Sequence, residues 1–350
     1  MVFDAYKSSS LKAATRTKRG KGIRRKVQND SIAPTNWHAF LSEELMINTD
    51  GQTELTCAYA TTCITNNGQS TSSFISPCNH EEADTRVFLH VNDMSLQGHT
   101  KITVRTVDTD VLVIAVSVFA RLKDQLEELW IDFGTGKHRQ FIPIHSIFIN
   151  LGESKALGLP FFHAFTGCDQ VSYFSKVSKG SAWKMWDLFD DITPVFQRLS
   201  CKPSLSEVKE SLPIIERFTV LMYNRTSNCL TTNECRKDLF CKGRSIDSIP
   251  PTSAALLKHV LRSSYIAGYI WEQSIIANQV LPDPEDWGWK NIDGSFIPHW
   301  SDLPDVTLAS KQLIKCMCNP EKGCKSRCKC VTSGFLYTEL CKCKGECERN

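Results

Sequence analysis

Eight of the sixteen cysteines fall between Cys316 and Cys347, in the order C-x-C-x5-C-x3-C-x-C-x10-C-x-C-x3-C, with no histidine among them. No other feature limits the chain's folding choices as tightly. Eight thiolates are too many for one tetrahedral Zn²⁺, so the spacing implies at least two Cys₄ sites or a cluster with bridging sulfurs. The segment has too few apolar residues for a core of its own. Metal binding must therefore supply most of its folding free energy, on the order of 10 kcal/mol or more per structural zinc.

The other eight cysteines are scattered over the first 310 residues, which is not the layout of a disulfide framework. The N-terminus is polar and then basic rather than signal-like, and the longest apolar run, Val111 to Ala120, is too short to span a bilayer. An intracellular setting keeps thiols reduced, so the dense cluster is expected to hold metal rather than disulfides.

Charge is as uneven as cysteine. Met1 to Asp30 carries nine Lys/Arg against two acids, and Lys311 to Asn350 nine against four, although the whole chain is only +3. The centre is therefore acidic. Basic ends suit a polyanion, and an acidic centre suits a site that collects divalent cations.

Lys101 to Val107 alternates as a strand and VLVIAVSVFARL follows the turn Asp108-Thr109-Asp110. Further strands are expected at Leu129 to Phe133 and Phe141 to Ile149, across the turn Gly134-Thr135-Gly136, with Ser154 to Phe165 helical in part. From Ser206 to Tyr223 and Ser253 to Gln279 apolar residues recur at helical steps, and the Pro- and Trp-rich stretch Leu281 to Pro304 reads as a link. The expectation is an α/β core over 1–190, a helical lobe and linker over 191–310, and a zinc module over 311–350.

Three acidic groups stand where a sheet ends its strands or starts its helices: Glu81-Glu82-Ala83-Asp84, Asp108-Thr109-Asp110, and Asp169 in Thr166-Gly167-Cys168-Asp169. Ligands of open α/β sheets bind at the carboxyl ends of strands. Carboxylates gathered there would repel one another unless a hard cation such as Mg²⁺ or Mn²⁺ sat among them. Taken singly, each group equally suits a helix cap or a turn.

Together with Val2-Phe3-Asp4, these motifs resemble the flap-endonuclease or PIN-like 5′-nuclease superfamily over roughly Met1 to Phe189, in order and approximate spacing. The resemblance implies a three-layer, Rossmann-like sheet. It implies that Asp4, Glu82, Asp84, Asp108, Asp110 and Asp169 hold two Mg²⁺ or Mn²⁺ ions, with Glu81 as a substitute for Glu82. Lys12 and Arg19 match in spacing the lysine and arginine that a helical arch of the family presents to the scissile phosphate. The segment Val171 to Trp186 stands where the family carries a helical element that grips the duplex backbone. Cys168 is expected to be a small buried residue rather than a nucleophile. The family pattern also puts a strand ending in another aspartate ahead of Val2-Phe3-Asp4, so the core is expected to be N-terminally incomplete.

The cysteine run resembles the tesmin-type CXC domain, a nuclear DNA-binding module, over Lys315 to Asn350. That resemblance implies Cys316, Cys318, Cys324, Cys328, Cys330, Cys341, Cys343 and Cys347 as zinc ligands. Lys325, Arg327 and Lys329 would face DNA. The family pattern has a ninth cysteine, expected near Tyr337, so the eight present here imply two or three zinc ions. It also often has a DNA-contacting tyrosine beside its central cysteines, which Ser326-Arg327-Cys328 lacks, so base-specific contacts are not expected from that position. The expected activity is a metal-dependent, structure-specific nuclease acting on DNA, or on RNA. The alternative is an inactive DNA- or chromatin-binding protein that keeps the nuclease fold. The nucleus is the expected location, with the cytoplasm as the alternative.

Overall fold

The computed structural model describes residues 74–301, the backbone of two short strands at 56–59 and 62–65, and, singly, Val2, Ser10, Leu11, Cys316, Cys318, Cys324 and Cys328. The chain divides into two compact units, Met1–Trp300 and Ser301–Asn350. Strands β1 (Thr56–Tyr59) and β2 (Thr62–Thr65) form an antiparallel hairpin.

The centre of the first unit is a β-α-β crossover. Strand β3 (Lys101–Thr106) runs parallel to β4 (Glu128–Phe133), with Lys101 opposite Glu128 and Thr106 opposite Phe133. Parallel neighbours need a long connection, and helix α2 (Thr109–Leu122) supplies it. Ile102, Val104, Leu129 and Ile131 point to one face and are buried; Lys101, Thr103 and Arg105 on the other face are exposed. Strand β5 (Gln140–Pro143) adds antiparallel to β4, giving the order β3-β4-β5. Among the described residues the protein is thus α/β, rich in helix, with small sheets.

Helix α2 is rich in β-branched residues, which favour strands. Its start explains why it is helical: Asp108 is the N-cap, and its Oδ1 accepts from the Asp110 backbone N–H at 2.8 Å. Preceding it in the chain, α1 (Ala83–Leu96) packs against α2 and is held at its start by His80, whose ring bonds Thr85 Oγ1 at 3.0 Å and the Ile276 carbonyl at 2.7 Å.

The strand expected over Phe141 to Ile149 is corrected. Only Gln140–Pro143 is extended, and α3 (Ile144–Leu151) follows. Pro143 has no N–H for a ladder and precedes the first helical residue, while Ile144, Ile147, Phe148 and Leu151 recur at i, i+3, i+4 and i+7 against the core.

Helix α4 (Glu153–Phe165) packs against α2 and against α6 (Thr193–Leu199), with α5 (Lys179–Trp186) nearby. Aromatic rings fill the space between them: Phe162 lies 4.9 Å from Trp186, Phe161 5.4 Å from Phe196, and Phe196 meets Phe218 edge-on at 5.4 Å. Phe218 belongs to α7 (Leu205–Tyr223), which starts in a Ser204/Glu207 capping box. Helix α8 (Thr232–Cys241) and α9 (Ser253–Ser264) complete the lobe, and residues on both sides of position 190 share one hydrophobic core.

The helical pattern expected from Ser253 to Gln279 is broken. After α9 come a π-helical turn, Tyr265–Trp271, and a 3₁₀ turn, Glu272–Ile275. Gly268 sits in the π turn because a Cβ there would lie 2.7 Å from both the Leu199 carbonyl oxygen and Pro203 Cδ. The stretch from Leu281 onward is also more than a link: Trp287 and Trp289 are buried, and strands β6 (Trp289–Ile292) and β7 (Ser295–Pro298) form a hairpin. No helix among the described residues is long and apolar enough to cross a membrane.

His259 is buried between the Phe165 carbonyl, 2.7 Å from Nε2, and Ser172 Oγ, 3.4 Å from Nδ1, and burial pushes it down to about 4. The unfolded chain therefore takes up a proton before the folded one does. The stability contributed by neutral His259 is complete above pH ~6.5 and is lost as pH falls toward 4. Urea midpoints are expected to drop between pH 7.5 and pH 5, with a shallower drop for His259→Gln.

Candidate functional site

Two of the sequence-predicted acids are buried where helices begin. Glu82 is the N-cap of α1, and Asp110 lies in the first turn of α2. Each is met by a donor from the far end of α4 or the loop beyond it. Asp110 Oδ1 is 2.9 Å from His163 Nε2, and Glu82 Oε1 accepts from Gln170 Nε2 at 2.9 Å. These two bonds draw three motifs separated in sequence into one neighbourhood: the acids at 81–84, those at 108–110, and the Thr166-Gly167-Cys168-Asp169 segment.

Lys179, at the start of α5, closes the arrangement. Its ammonium donates to the His163 carbonyl at 2.8 Å and to Thr166 Oγ1 at 3.1 Å, and lies 3.4 Å from His163 Nδ1. An ammonium has no acceptor, so Nδ1 carries the lone pair and Nε2 carries the proton that Asp110 receives. Burial pulls Lys179 down to about 8, against the raising influence of the nearby Asp110 carboxylate. Gly167 adopts φ +114, and a Cβ there would stand 2.8 Å from Tyr173 Cβ, so the turn after α4 requires glycine. The π turn contributes as well, since Trp271 packs 6.0 Å from the His163 ring.

The remaining acids differ. Asp108 is half-buried and spends Oδ1 on its helix cap, Asp84 is half-buried in the first turn of α1, and Asp169 is exposed. Glu81 is half-buried. Cys168 donates to Gln170 Oε1 at 3.6 Å, and burial pushes its thiol up to about 12, which leaves no thiolate for nucleophilic work at neutral pH. Asp4, Lys12, Arg19, Lys325, Arg327, Lys329, Cys330, Cys341, Cys343 and Cys347 lie outside the described residues.

Among the described residues, one group of three or more His, Cys, Asp or Glu brings its ligand atoms within 4.8 Å of one another: Cys316, Cys318, Cys324 and Cys328. The described acids form no such group. Cys316 Sγ and Cys324 Sγ are 3.7 Å apart. Tetrahedral zinc with Zn–S bonds of ~2.3 Å separates its sulfurs by about 3.8 Å, whereas a disulfide needs about 2.05 Å. Three of the four cysteines are buried, as a closed structural site requires. These four can hold one zinc ion.

Sequence alone did not single out His163 or Gln170, and Lys179 entered only within the Val171 to Trp186 segment expected to grip a duplex backbone, not as a partner of the acids. The first two flank Thr166-Gly167-Cys168-Asp169 within four residues, but their roles depend on carboxylates 53 and 88 positions away. Comparison with family models, with curated proteins and with solved structures finds no match to this chain.

Two outcomes follow from this geometry. Gln170→Ala leaves Glu82 without its buried amide donor and is expected to cost about 1–3 kcal/mol in unfolding free energy, measured by urea titration. Cys324→Ser is expected to lower bound zinc by about one equivalent per chain in elemental analysis.

Proposed function

We propose that this chain is a metal-dependent, structure-specific nuclease-like protein that acts on or binds DNA, carried on a PIN-like three-layer core and accompanied by a zinc module. The observation that carries the reading is the pair of hydrogen bonds, Asp110 to His163 and Glu82 to Gln170, which gather the acidic motifs at the starts of α1 and α2. Asp108 and Asp110 follow directly on β3, the position at which α/β sheets bind ligands.

In this reading Glu82, Asp84, Asp108, Asp110 and Asp169, with Asp4, hold two Mg²⁺ or Mn²⁺ ions. Bound ions would supply Lewis-acid activation of a water and stabilisation of the leaving oxygen in phosphodiester cleavage. The chain's own part is positional. His163 keeps one Asp110 oxygen fixed, and Lys179 fixes the His163 tautomer. The eight tail cysteines hold two or three zinc ions, and Lys325, Arg327 and Lys329 offer cations to phosphate, which suits a nuclear protein.

A second reading has its own support. Among the described residues no three acids converge, and the two buried ones are already met by protein donors. That arrangement favours a DNA- or chromatin-binding protein that has kept the nuclease fold without cleaving. Purified chain incubated with flapped, branched and single-stranded DNA, and with RNA, in Mg²⁺ or Mn²⁺ separates the two. The nuclease reading expects cleavage that disappears in the Asp108→Ala, Asp110→Ala double variant. Equal product from both proteins would sink it, and retarded but uncut DNA would establish the binding reading.

A further inference from the structure

On the exposed face of the sheet, three residues form a row across all three strands. Arg105 on β3 stands opposite Asp132 on β4, which stands opposite Phe141 on β5. Arg105 and Asp132 are the next-to-last residues of their strands, so the row lies at the sheet edge from which the chain continues into Asp108-Thr109-Asp110.

Asp132 is buried and serves two guanidinium groups. Arg139 donates Nε to Oδ1 and Nη2 to Oδ2, each at 2.7 Å, and Arg105 donates Nη1 to Oδ1 at 2.7 Å. The Arg139 hydrogen bonds and the charge of Arg105 hold the Asp132 carboxyl below the ordinary carboxylate range despite burial. One anion thus pins two cations, leaving the pair with net positive charge and little freedom left to lose on binding. Both arginines remain about half exposed, at 47% and 53% of their side chains.

The loop between β4 and β5 is built to present this pair. Gly134 has φ +86, and a Cβ there would come within 2.6 Å of the His138 carbonyl oxygen, so the chain turns back tightly through the 3₁₀ turn Gly136–His138. Lys137 and His138 project from that turn in exposed positions. Arg139 then lies over the Phe141 ring, 5.6 Å from its centre, and 57% of Phe141 is exposed. A large exposed aromatic beside pinned guanidinium groups has little value to the fold by itself.

We infer that Arg105, Arg139, Lys137 and Phe141 form a binding surface for single-stranded nucleic acid, with phosphates on the cations and a base stacked on the Phe141 ring. Phosphate contacts alone would serve a duplex equally well. The exposed ring selects a strand whose bases are unstacked, because every base offers a face for stacking while duplex bases do not. The position, on the strand ends that lead to Asp108 and Asp110, would feed the strand toward the acidic motifs; to that extent the inference rests on the nucleic-acid reading proposed above.

The test uses the full zinc-loaded chain and fluorescence anisotropy with a labelled single-stranded DNA, an RNA of the same sequence, and the corresponding duplex. Phe141→Ala alters an exposed side chain outside the Asp132 ion pairs and is expected to weaken single-strand binding on the order of tenfold, with little effect on the duplex. Lys137→Gln is expected to lower the salt dependence of binding by about one counterion. Bromouracil-substituted strands are expected to crosslink to the peptide containing Phe141. Wild-type binding that both variants leave unchanged, with crosslinks confined to residues 311–350, overturns this surface but leaves the proposed function standing. Failure of the wild-type chain to bind any of the three nucleic acids overturns both. DNA and RNA arms of different strength identify the strand type it prefers.

Discussion

Helix α2 has to lose its water on nearly every side. Val111, Val113, Ile114, Val116 and Val118 are all buried, and each such side chain favours burial by about 1.5–3 kcal/mol. A helix apolar all round can only sit between layers. The β3-β4 pair lies before and after it in the chain, while α1 and α4 pack against it. Its first turn holds Asp110, so the demand to bury Val111 to Ala120 also carries a carboxylate into the interior.

A buried carboxylate needs donors, and that need explains much of the surrounding architecture. His163 arrives from α4, its proton placed by Lys179 from α5, and Trp271 from the π turn packs against the ring. Glu82 has the same requirement at the start of α1 and receives Gln170. The aromatic cluster around Phe161, Phe162 and Phe196 holds α4 at the depth from which His163 reaches Asp110. The geometry of the acidic neighbourhood is therefore a property of the whole first unit rather than of the acidic motifs alone.

The cysteine cluster works by different physics. Cys316, Cys318, Cys324 and Cys328 bring their sulfurs within 4.8 Å of one another, and the 3.7 Å separation of Cys316 and Cys324 matches the edge of a tetrahedral zinc–sulfur sphere. The first four cysteines of the run, C-x-C-x5-C-x3-C, thus supply the four ligands that one zinc ion takes.

Much of this was written in local pattern. The alternation of Lys101 to Val107, the helical steps from Ser206 to Tyr223, the acids after β3 and the cysteine spacing each depend on neighbours along the chain, and the sequence by itself determined them. Ile144 to Leu151 shows where local pattern misleads: its β-branched residues suit a strand, yet Pro143 and the core on one side make it a helix. Trp287 and Trp289 look like parts of a linker until Arg262, buried and bonded to the Gly288 and His299 carbonyls, ties them down. Tertiary structure alone decided that His163, Gln170 and Lys179 belong with the acids, and that Arg105, Asp132 and Phe141 stand in one row. Those pairings span 27 residues or fewer in one case and 88 in another, and no local propensity encodes them. They come from strand register and from the burial of charge, which exist only once the layers have packed.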